Sequence, residues 1–289
     1  MEIISVTPRG YCQGVVRAIR IARRTAEEHP GQPITMLGMI VHNRYVVEEC
    51  ERLGIRCVED SRLTRRELLS RIPEGIVIIT AHGASDDVFA EARARGLTVV
   101  DATCPDVERT HELVREHVRT GDVIYLGKHR HPEAEGTVGI SPRVHLVSTV
   151  EEIQKLNGLS DILITSQTTL SILDTEKLLK ACLERWPDAV VSPEICNATR
   201  IRQEAVLKLK DTDVLIVVGD PHSNNSHQLA EIGLSAGIPH AYLIENADQL
   251  EESMIRNASR VAVTSGSSTP NELTQAVIDR LHACAHTAQ

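Results

Sequence analysis

The chain has 289 residues, of which 42% are hydrophobic and 25% are charged, the composition of a globular protein with room for more than one hydrophobic core. A net charge of −9 and only 2% aromatic residues argue against nucleic-acid binding, because phosphate contacts need clustered Lys and Arg and base stacking needs aromatic rings. No apolar run approaches the roughly 20 residues that cross a bilayer and no secretory signal pattern is present, so we expect a cytoplasmic protein that binds no membrane.

Apolar runs rich in β-branched residues alternate with amphipathic stretches along the chain. The runs are Ile3–Val6, Ile34–Ile40, Ile76–Thr80, Leu97–Val100, Val123–Leu126, Val144–Val147, Ile162–Thr165, Val214–Val218, Ala241–Ile244 and Val261–Thr264. The amphipathic stretches include Val46–Leu53, Asp87–Ala94, Thr175–Trp186 and Gln228–Ala236. This alternation predicts βα units with buried parallel strands, which is the α/β class.

Three of the seven cysteines lie at a constant interval. Cys12, Cys104 and Cys196 follow one another at 92 residues. An internal period of about 90 residues predicts three similar structural units. We therefore expect an α/β fold of three domains related by a pseudo-threefold axis, with parallel-rich sheets, over 14–104, over 105–190, and over 1–13 together with 191–289.

Polar clusters keep step with these cysteines at the ends of predicted strands. One cluster follows each cysteine after 27 to 30 residues, and a second follows it after 64 to 72 residues. The clusters lie at His42, His82, His131, Thr168, Ser223 and Ser268. Ligands of parallel α/β sheets bind beyond the carboxyl ends of the strands, so we expect the three domains to surround one central cavity.

Each cysteine of the repeat directly precedes a predicted helix, and Pro105 suits the first helical position after Cys104. A helix N-terminus favours the thiolate, which is the form that binds metals. Three converging thiolates suit either zinc or an iron–sulfur cluster, and a cluster that usually takes four cysteines would keep one iron open as a Lewis acid. Three unrelated buried cysteines are the alternative.

The other four cysteines do not follow the repeat. Cys50 and Cys182 fall within amphipathic stretches, Cys57 lies in a short apolar run, and Cys284 lies in the predicted C-terminal helix. We expect all four to be structural, buried as small hydrophobic residues.

An ordered set of short motifs resembles one enzyme family over essentially the whole chain. The motifs are Pro8–Cys12, Val41–Arg44, Thr80–Gly83, Asp101–Pro105, His131–Glu133, Gln167–Ser171, Glu194–Cys196, Arg202–Ala205 and Thr264–Ser268. Each motif alone is weak, but their order is highly specific. Together they resemble the 4-hydroxy-3-methylbut-2-enyl diphosphate reductase family, also called the LytB family.

The resemblance implies a 4Fe-4S cluster with one open iron on Cys12, Cys104 and Cys196. It also implies that (E)-4-hydroxy-3-methylbut-2-enyl diphosphate is converted to isopentenyl diphosphate and dimethylallyl diphosphate with loss of water. That reaction is the last step of the non-mevalonate route to isoprenoid precursors.

The resemblance further assigns roles to side chains. Glu133 is implied as the catalytic acid, with His131 beside it and Thr168 as a hydroxyl that relays a proton or orients the substrate. The residues implied to bind substrate are His42, His82, His131, Thr168, Ser223, Asn224, Asn225 and Ser268. Asn224 stands where many members have Ser, which makes its contact the least certain of the set.

These polar residues also have structural interpretations. His42 and His82 fit buried structural histidines or zinc ligands. The Ser and Asn residues fit turns and helix caps, and Thr168 fits a helix start. Glu135 is the rival of Glu133 for the catalytic carboxyl.

Cofactor and partner patterns restrict the reaction further. No G-x-G-x-x-G follows a predicted strand, so we expect no bound nicotinamide or flavin, and electrons from an external carrier such as ferredoxin or flavodoxin. A zinc-dependent hydrolase would use the same Cys and His residues, and metal analysis separates it from a reductase. A non-catalytic iron–sulfur sensor should carry a basic surface or a partner-binding tail, and the sequence indicates neither.

Overall fold

The computed structural model describes residues 1–192 and 194–287, with the side chains of 1–192 and 194–285. The strands are β1 (Glu2–Ser5), β2 (Ile34–Leu37), β3 (Ile55–Val58), β4 (Ile76–Ile79), β5 (Thr98–Asp101), β6 (Asp122–Leu126), β7 (Val144–Val147), β8 (Ile162–Ser166), β9 (Val190–Ser192), β10 (Val214–Val218), β11 (His240–Ile244) and β12 (Arg260–Ser265). The helices are α1 (Gln13–Glu28), α2 (Arg44–Arg52), α3 (Arg65–Leu69), α4 (Asp86–Ala94), α5 (Pro105–His117), α6 (Pro132–Val138), α7 (Val150–Lys155), α8 (Ile172–Arg185), α9 (Asn197–Leu207), α10 (Asn224–Ser235), α11 (Glu252–Ile255) and α12 (Asn271–Thr287). A 3-10 turn covers Ala247–Gln249.

All ten predicted apolar runs contain strands, but two strands were not predicted. Exposed Arg56 interrupts the apolar pattern of β3, and β9 has only three residues, of which Val190 is 56% exposed. The prediction for β2 was too long, because Gly38 has a φ of 94°, which ends the strand after Leu37.

The strands form three four-stranded sheets, and every pair described is parallel. The orders are β3-β2-β4-β5, β7-β6-β8-β9 and β11-β10-β12-β1. Each sheet therefore has the same topology, and β1 takes the place in the third sheet that β5 and β9 take in the first and second. Along this edge Ile3 lies opposite Val261 of β12. The predicted α/β class with parallel sheets is confirmed.

The central strands are buried on both faces. In the third sheet, Ile216 and Val218 pack on one face in a cluster with Val277 and Leu281 of α12. On the other face, Leu215 and Val217 pack in a cluster with Leu229 and Ile232 of α10. Burying one such side chain contributes roughly 1.5–3 kcal/mol, so this double-sided packing explains the continuously apolar strands.

The described chain divides into two compact units. The one-sheet unit contains 1–13, 169–172 and the chain from Cys196 onward, with the third sheet. The two-sheet unit contains 14–168 and 173–195, with the first and second sheets. The three-domain division over 14–104, 105–190, and 1–13 with 191–289 remains a prediction. Within the described residues, no helix has both the length and the apolar character of a membrane span.

Candidate active site

The polar clusters and the cysteines occupy equivalent places in the three sheets. In each sheet the two clusters follow the two central strands, and the cysteine follows the edge strand at β5, β9 or β1. In the first and second sheets, the connections from the two central strands lead to opposite edges of the sheet, which is the topology that places ligand sites beyond the strand ends of α/β proteins. The regular spacing of the cysteines and polar clusters in the sequence thus reflects their equivalent positions in the three sheets.

Three histidines of the two-sheet unit come together. The ring centroids of His42 and His82 are 4.2 Å apart. The ring of His131 lies 5.6 Å from the first and 5.7 Å from the second. They follow β2, β4 and β6, and each ring is half-buried. Residues from the first and second sheets therefore form one imidazole cluster, which we call the three-histidine cluster.

Two rings of this cluster are held in the neutral form. Burial lowers the pKa of His82 and of His131 well below the usual imidazole value, and the neighbouring His42 lowers both further. The backbone N–H of Glu133 donates to Nδ1 of His131 at 3.2 Å. The neutral His131 ring therefore carries its proton on Nε2, and this N–H remains a donor for a ligand.

Glu133 is enclosed beside the cluster, at the start of α6, and is 1% exposed. Its Oε1 accepts the backbone N–H of Thr168 at 2.6 Å, and its Oε2 accepts the Thr168 hydroxyl at 3.0 Å. The buried Tyr125 hydroxyl donates to Oε1 at 3.5 Å. Burial raises the pKa of Glu133 to about 7, although these donors oppose the rise. The carboxyl can therefore hold and release a proton near neutral pH.

The rival carboxyl has a different environment. Glu135 is half-buried, and its Oε1 accepts the backbone N–H of Arg65 at 2.6 Å. Burial raises its pKa as well, while the charge of Arg65 opposes the rise. Its carboxylate tethers α3 to α6, whereas the contacts of Glu133 are to Thr168 and Tyr125. The geometry favours Glu133 as the acid.

The one-sheet unit holds the remaining predicted binding residues at the ends of β10 and β12. Ser223 is the N-cap of α10 and accepts the backbone N–H of Ser226, as the structural interpretation predicts. The amide of Asn225 donates to the Ser267 hydroxyl at 3.1 Å. Ser268 is buried in the neighbouring loop. A residue that caps a helix can also bind phosphate, so these contacts leave the phosphate-binding role of the three residues as a prediction.

Asn224 uses its donor within the protein. Its Nδ2 lies 2.7 Å from the carbonyl oxygen of Thr169. Because a carbonyl oxygen only accepts, the atom facing it must be the amide nitrogen. The side-chain oxygen Oδ1 is buried with no hydrogen-bond partner in the described part of the chain, and an acceptor atom does not suit an anion. In this conformation Asn224 fixes the segment after Thr168, and its predicted contact with diphosphate remains untested.

The three cysteines of the repeat have the local setting that the sequence predicts. Cys104 and Cys196 are the N-caps of α5 and α9, and Cys12 directly precedes α1. None of the three is in a disulfide bond, and all three are partly exposed. Pro105 occupies the first turn of α5. A partly exposed sulfur at a helix N-terminus has the chemistry of a metal-binding thiolate.

The other cysteines differ from them in burial and acidity. Cys50 and Cys182 are buried in α2 and α8, as predicted, and burial raises the pKa of each to about 11. Burial also raises the pKa of Cys57, which is partly exposed in β3, to about 12. Cys284 is partly buried against the core of the third sheet. The thiols of Cys50, Cys57 and Cys182 therefore stay protonated, which does not suit a metal ligand.

Arg202 joins two of the predicted ligands within the one-sheet unit. Its buried guanidinium donates to the carbonyl oxygens of Gly10 at 2.7 Å and Ala198 at 2.9 Å. Burial lowers the pKa of Arg202, and the charges of Cys12 and Cys196 raise it. One buried cation thus lies within electrostatic range of both sulfur atoms, an arrangement that fits a thiolate-bound, negatively charged group.

Among the side chains described, those of 1–192 and 194–285, no group of three or more His, Cys, Asp or Glu is gathered in the arrangement of a metal site. The rings of the three-histidine cluster meet at interplanar angles of 39°, 68° and 83°. Cys12 and Cys196 belong to the one-sheet unit and Cys104 to the other. The convergence of the three sulfur atoms therefore remains a prediction.

Sequence reasoning missed three residues around the site. Tyr125 was treated only as part of an apolar strand, although a buried tyrosine needs a partner for its hydroxyl, and that requirement was a usable signal. Arg65 was not singled out, and nothing in the local sequence separates it from Arg66. Arg202 was quoted within a motif but given no task.

Comparison with known proteins places these features in a family. A model of the LytB protein family matches residues 3–282. The 4-hydroxy-3-methylbut-2-enyl diphosphate reductase of Symbiobacterium thermophilum is 47% identical over 287 residues, which cover 97% of both chains. The protein of the same name from Brevibacillus brevis is 48% identical over 283 residues, covering 96% of this chain and 90% of that protein.

Two solved structures are also similar. The structure of the E-1-hydroxy-2-methyl-but-2-enyl-4-diphosphate reductase from Plasmodium falciparum matches with a TM-score of 0.90 and 31% identity, over 96% of this chain and 87% of that one. A second structure, described as (E)-4-hydroxy-3-methyl-but-2-enyl diphosphate reductase, the terminal enzyme of the non-mevalonate pathway, matches with a TM-score of 0.65 and 30% identity. It covers 98% of this chain and 100% of the other.

Proposed function

The chain belongs to the LytB protein family, and from this premise we propose that it reduces (E)-4-hydroxy-3-methylbut-2-enyl diphosphate to isopentenyl diphosphate and dimethylallyl diphosphate with loss of water. The observation that carries the proposal is the buried Glu133 carboxyl, whose pKa of about 7 suits a proton donor, two residues from the neutral His131 ring. The enzyme would thus catalyse the last step of the non-mevalonate pathway.

The three-histidine cluster would bind the diphosphate group from the two-sheet unit. Imidazole N–H groups donate hydrogen bonds to phosphate oxygens, and the anion in turn raises the pKa of the rings that it contacts. His42, His82 and His131 carry this role. Ser223, Asn225 and Ser268 would supply further neutral donors from the one-sheet unit, and Asn224 would act by fixing the Thr169 segment.

Glu133 and Thr168 would deliver the proton to the departing hydroxyl group. When Glu133 is protonated, its O–H can donate to the Thr168 hydroxyl, which then turns its own hydrogen toward the substrate oxygen. The backbone N–H of Thr168 holds the carboxyl in place at 2.6 Å throughout. Proton transfer through Thr168 keeps the charged form of Glu133 away from the substrate diphosphate.

Cys12, Cys104 and Cys196 would hold a 4Fe-4S cluster as thiolates, with Arg202 offsetting part of the negative charge near Cys12 and Cys196. Bound there, such a cluster supplies single electrons and one iron with an open coordination position that polarises the substrate hydroxyl. The electrons would come from an external carrier such as ferredoxin or flavodoxin, and we expect the enzyme to work in the cytoplasm.

An anaerobic turnover assay tests this function. Enzyme purified and reconstituted without air is given (E)-4-hydroxy-3-methylbut-2-enyl diphosphate and a chemical reductant, and the products are separated by chromatography. We expect both five-carbon diphosphates, in proportion to the iron and sulfide bound. If enzyme with a full complement of iron and sulfide leaves the substrate unchanged, the function is rejected. Colourless protein that contains one zinc would favour a hydrolase.

A further inference from the structure

Arg65 is a buried cation near the three-histidine cluster that neither the family motifs nor the proposed mechanism uses. It is the first residue of α3 and is 3% exposed. Its Nη1 pairs with Oε2 of Glu59 at 3.1 Å. The guanidinium packs against Gly38, where a Cβ atom would overlap it. Gly38 ends β2, and four residues later the same loop presents His42.

Two guanidinium nitrogens of Arg65 are not satisfied. Nε and Nη2 are buried and have no hydrogen-bond partner among the residues that the structure describes. A buried charged donor without a partner costs several kcal/mol in an ordinary core, so such a group calls for an explanation. The explanation would be an anion-binding site beside Arg65, because a bound anion stabilises the positive charge of the guanidinium through space.

The charge of Arg65 acts on the three-histidine cluster. The guanidinium lowers the pKa of both His82 and His131, and the backbone N–H of Arg65 donates to Glu135, four residues after His131. Its partner Glu59 is one-third exposed, so water screens the carboxylate more strongly than the buried guanidinium. Glu59 therefore offsets only part of the positive charge of Arg65.

We propose that Arg65 is a positioning residue of the diphosphate site, which supplies positive potential to the three-histidine cluster and fixes the Gly38–His42 loop through its packing on Gly38. This inference rests on the proposed function, since it assigns an anionic ligand to the three-histidine cluster. It explains how a protein of net charge −9 binds a small polyanion with a cluster in which the His82 and His131 rings are uncharged.

Binding of inorganic diphosphate to the holoenzyme, measured by calorimetry, tests the proposal without catalysis. Arg65→Met should weaken binding about tenfold or more, because it removes the charge and keeps an apolar side chain of similar length. Arg65→Lys should stay within about threefold of wild type, because the charge is retained. The matched control is Arg66→Met, since Arg66 is the exposed neighbour on the same helix, and it should bind as wild type does.

Glu59→Gln covers the case in which Arg65→Met does not fold. The amide keeps an acceptor oxygen for Arg65 and for the backbone N–H of Met39, but removes the opposing charge. The proposal expects diphosphate to bind about two- to fivefold more tightly to this variant. Weaker or unchanged binding to Glu59→Gln, or wild-type binding to Arg65→Met, overturns it.

Turnover of the wild-type enzyme separates this inference from the proposed function. If the wild type converts the substrate while Arg65→Met and Arg66→Met bind inorganic diphosphate equally, the function stands and the role of Arg65 is rejected. In the expected result, Arg65→Met raises KM more than it lowers kcat. Increasing salt then reduces the difference in KM between this variant and the wild type.

Discussion

Glu133 and Glu135 are two residues apart, yet their surroundings give them different chemistry. Glu133 is closed off from water and receives donors from Thr168 and Tyr125. Glu135 is half-buried and its oxygen receives the backbone N–H of Arg65. The first arrangement stores a proton beside a hydroxyl relay, and the second tethers one helix to another.

Glu133→Gln should abolish turnover while leaving the shape of the site intact. The amide can still accept from Thr168 but cannot release a proton, so we expect kcat to fall by at least about 100-fold. In the wild type, kcat should decline as the pH rises through about 7, because the acid must be protonated to act. The pH profile of kcat and the visible spectrum check both points. Full activity in this variant, at an unchanged iron content, would remove Glu133 from the mechanism.

The same carboxyl should make stability depend on pH. The pKa of Glu133 is raised from 4.5 to about 7 by folding, so its favourable contribution is complete below pH 4.5 and is lost as the pH rises through 7. Relative to Glu133→Gln, the wild type should lose up to about 3 kcal/mol of unfolding free energy between pH 4.5 and pH 8. Urea unfolding of both proteins across this range measures the difference. A constant difference would show that the carboxyl is not desolvated.

The sequence predicted some residues of the site but not the contacts between them. Glu133 and the histidines were predicted, because each belongs to a motif at a strand end. The contact of Thr168 with Glu133 joins residues 35 positions apart, and Arg65 reaches Gly38 from a separate helix. No local pattern encodes such pairings, since they depend on how strands and helices pack.

At the scale of elements, the one-sheet unit depends on the close approach of α10 to two strand ends. Gly219 follows β10 and Gly266 follows β12. A Cβ atom at either position would overlap the hydroxyl of Ser226 in the first turn of α10. The two glycines therefore set the position of the helix that begins after Ser223 and carries Asn225.

Gly219→Ala should push the start of α10 away from the strand ends. We expect a loss of roughly 1–3 kcal/mol in unfolding free energy, together with weaker binding of inorganic diphosphate. Ser226→Gly in the same chain removes the atoms that the new methyl group would meet, so the double variant should be less destabilised than the two single losses combined. Denaturant unfolding of the three variants tests this. Additive losses would mean that the overlap is relieved elsewhere.

The elements themselves were largely predictable. Buried central strands such as β4 and β10 are continuous apolar runs, and Pro105 marks the start of α5. The strands β3 and β9 escaped prediction because Arg56 interrupts the apolar pattern of β3 and β9 has only three residues. The end of β2 escaped it because the positive φ of Gly38 is not visible in an apolar run.

At the scale of the whole molecule, the internal repeat of the sequence corresponds to a repeat of sheet topology. All three sheets have the same strand order, with the N-terminal β1 completing the third. Each sheet therefore offers one cysteine after an edge strand and two polar clusters after its central strands. The period in the sequence predicted that these positions are equivalent. Because spacing along the sequence gives no distance in space, it did not establish whether the three cysteines come together.

The most direct test of the account is the iron and sulfide content of four variants reconstituted without air. Cys12→Ser, Cys104→Ser and Cys196→Ser each remove one predicted ligand, and Cys57→Ser is the control because Cys57 is also partly exposed and outside any disulfide bond. We predict roughly four iron and four sulfide per chain for the wild type and the control, and a large loss of both in each of the other three. A full cluster in any of those three variants, or an equal loss in Cys57→Ser, would contradict the three-thiolate site.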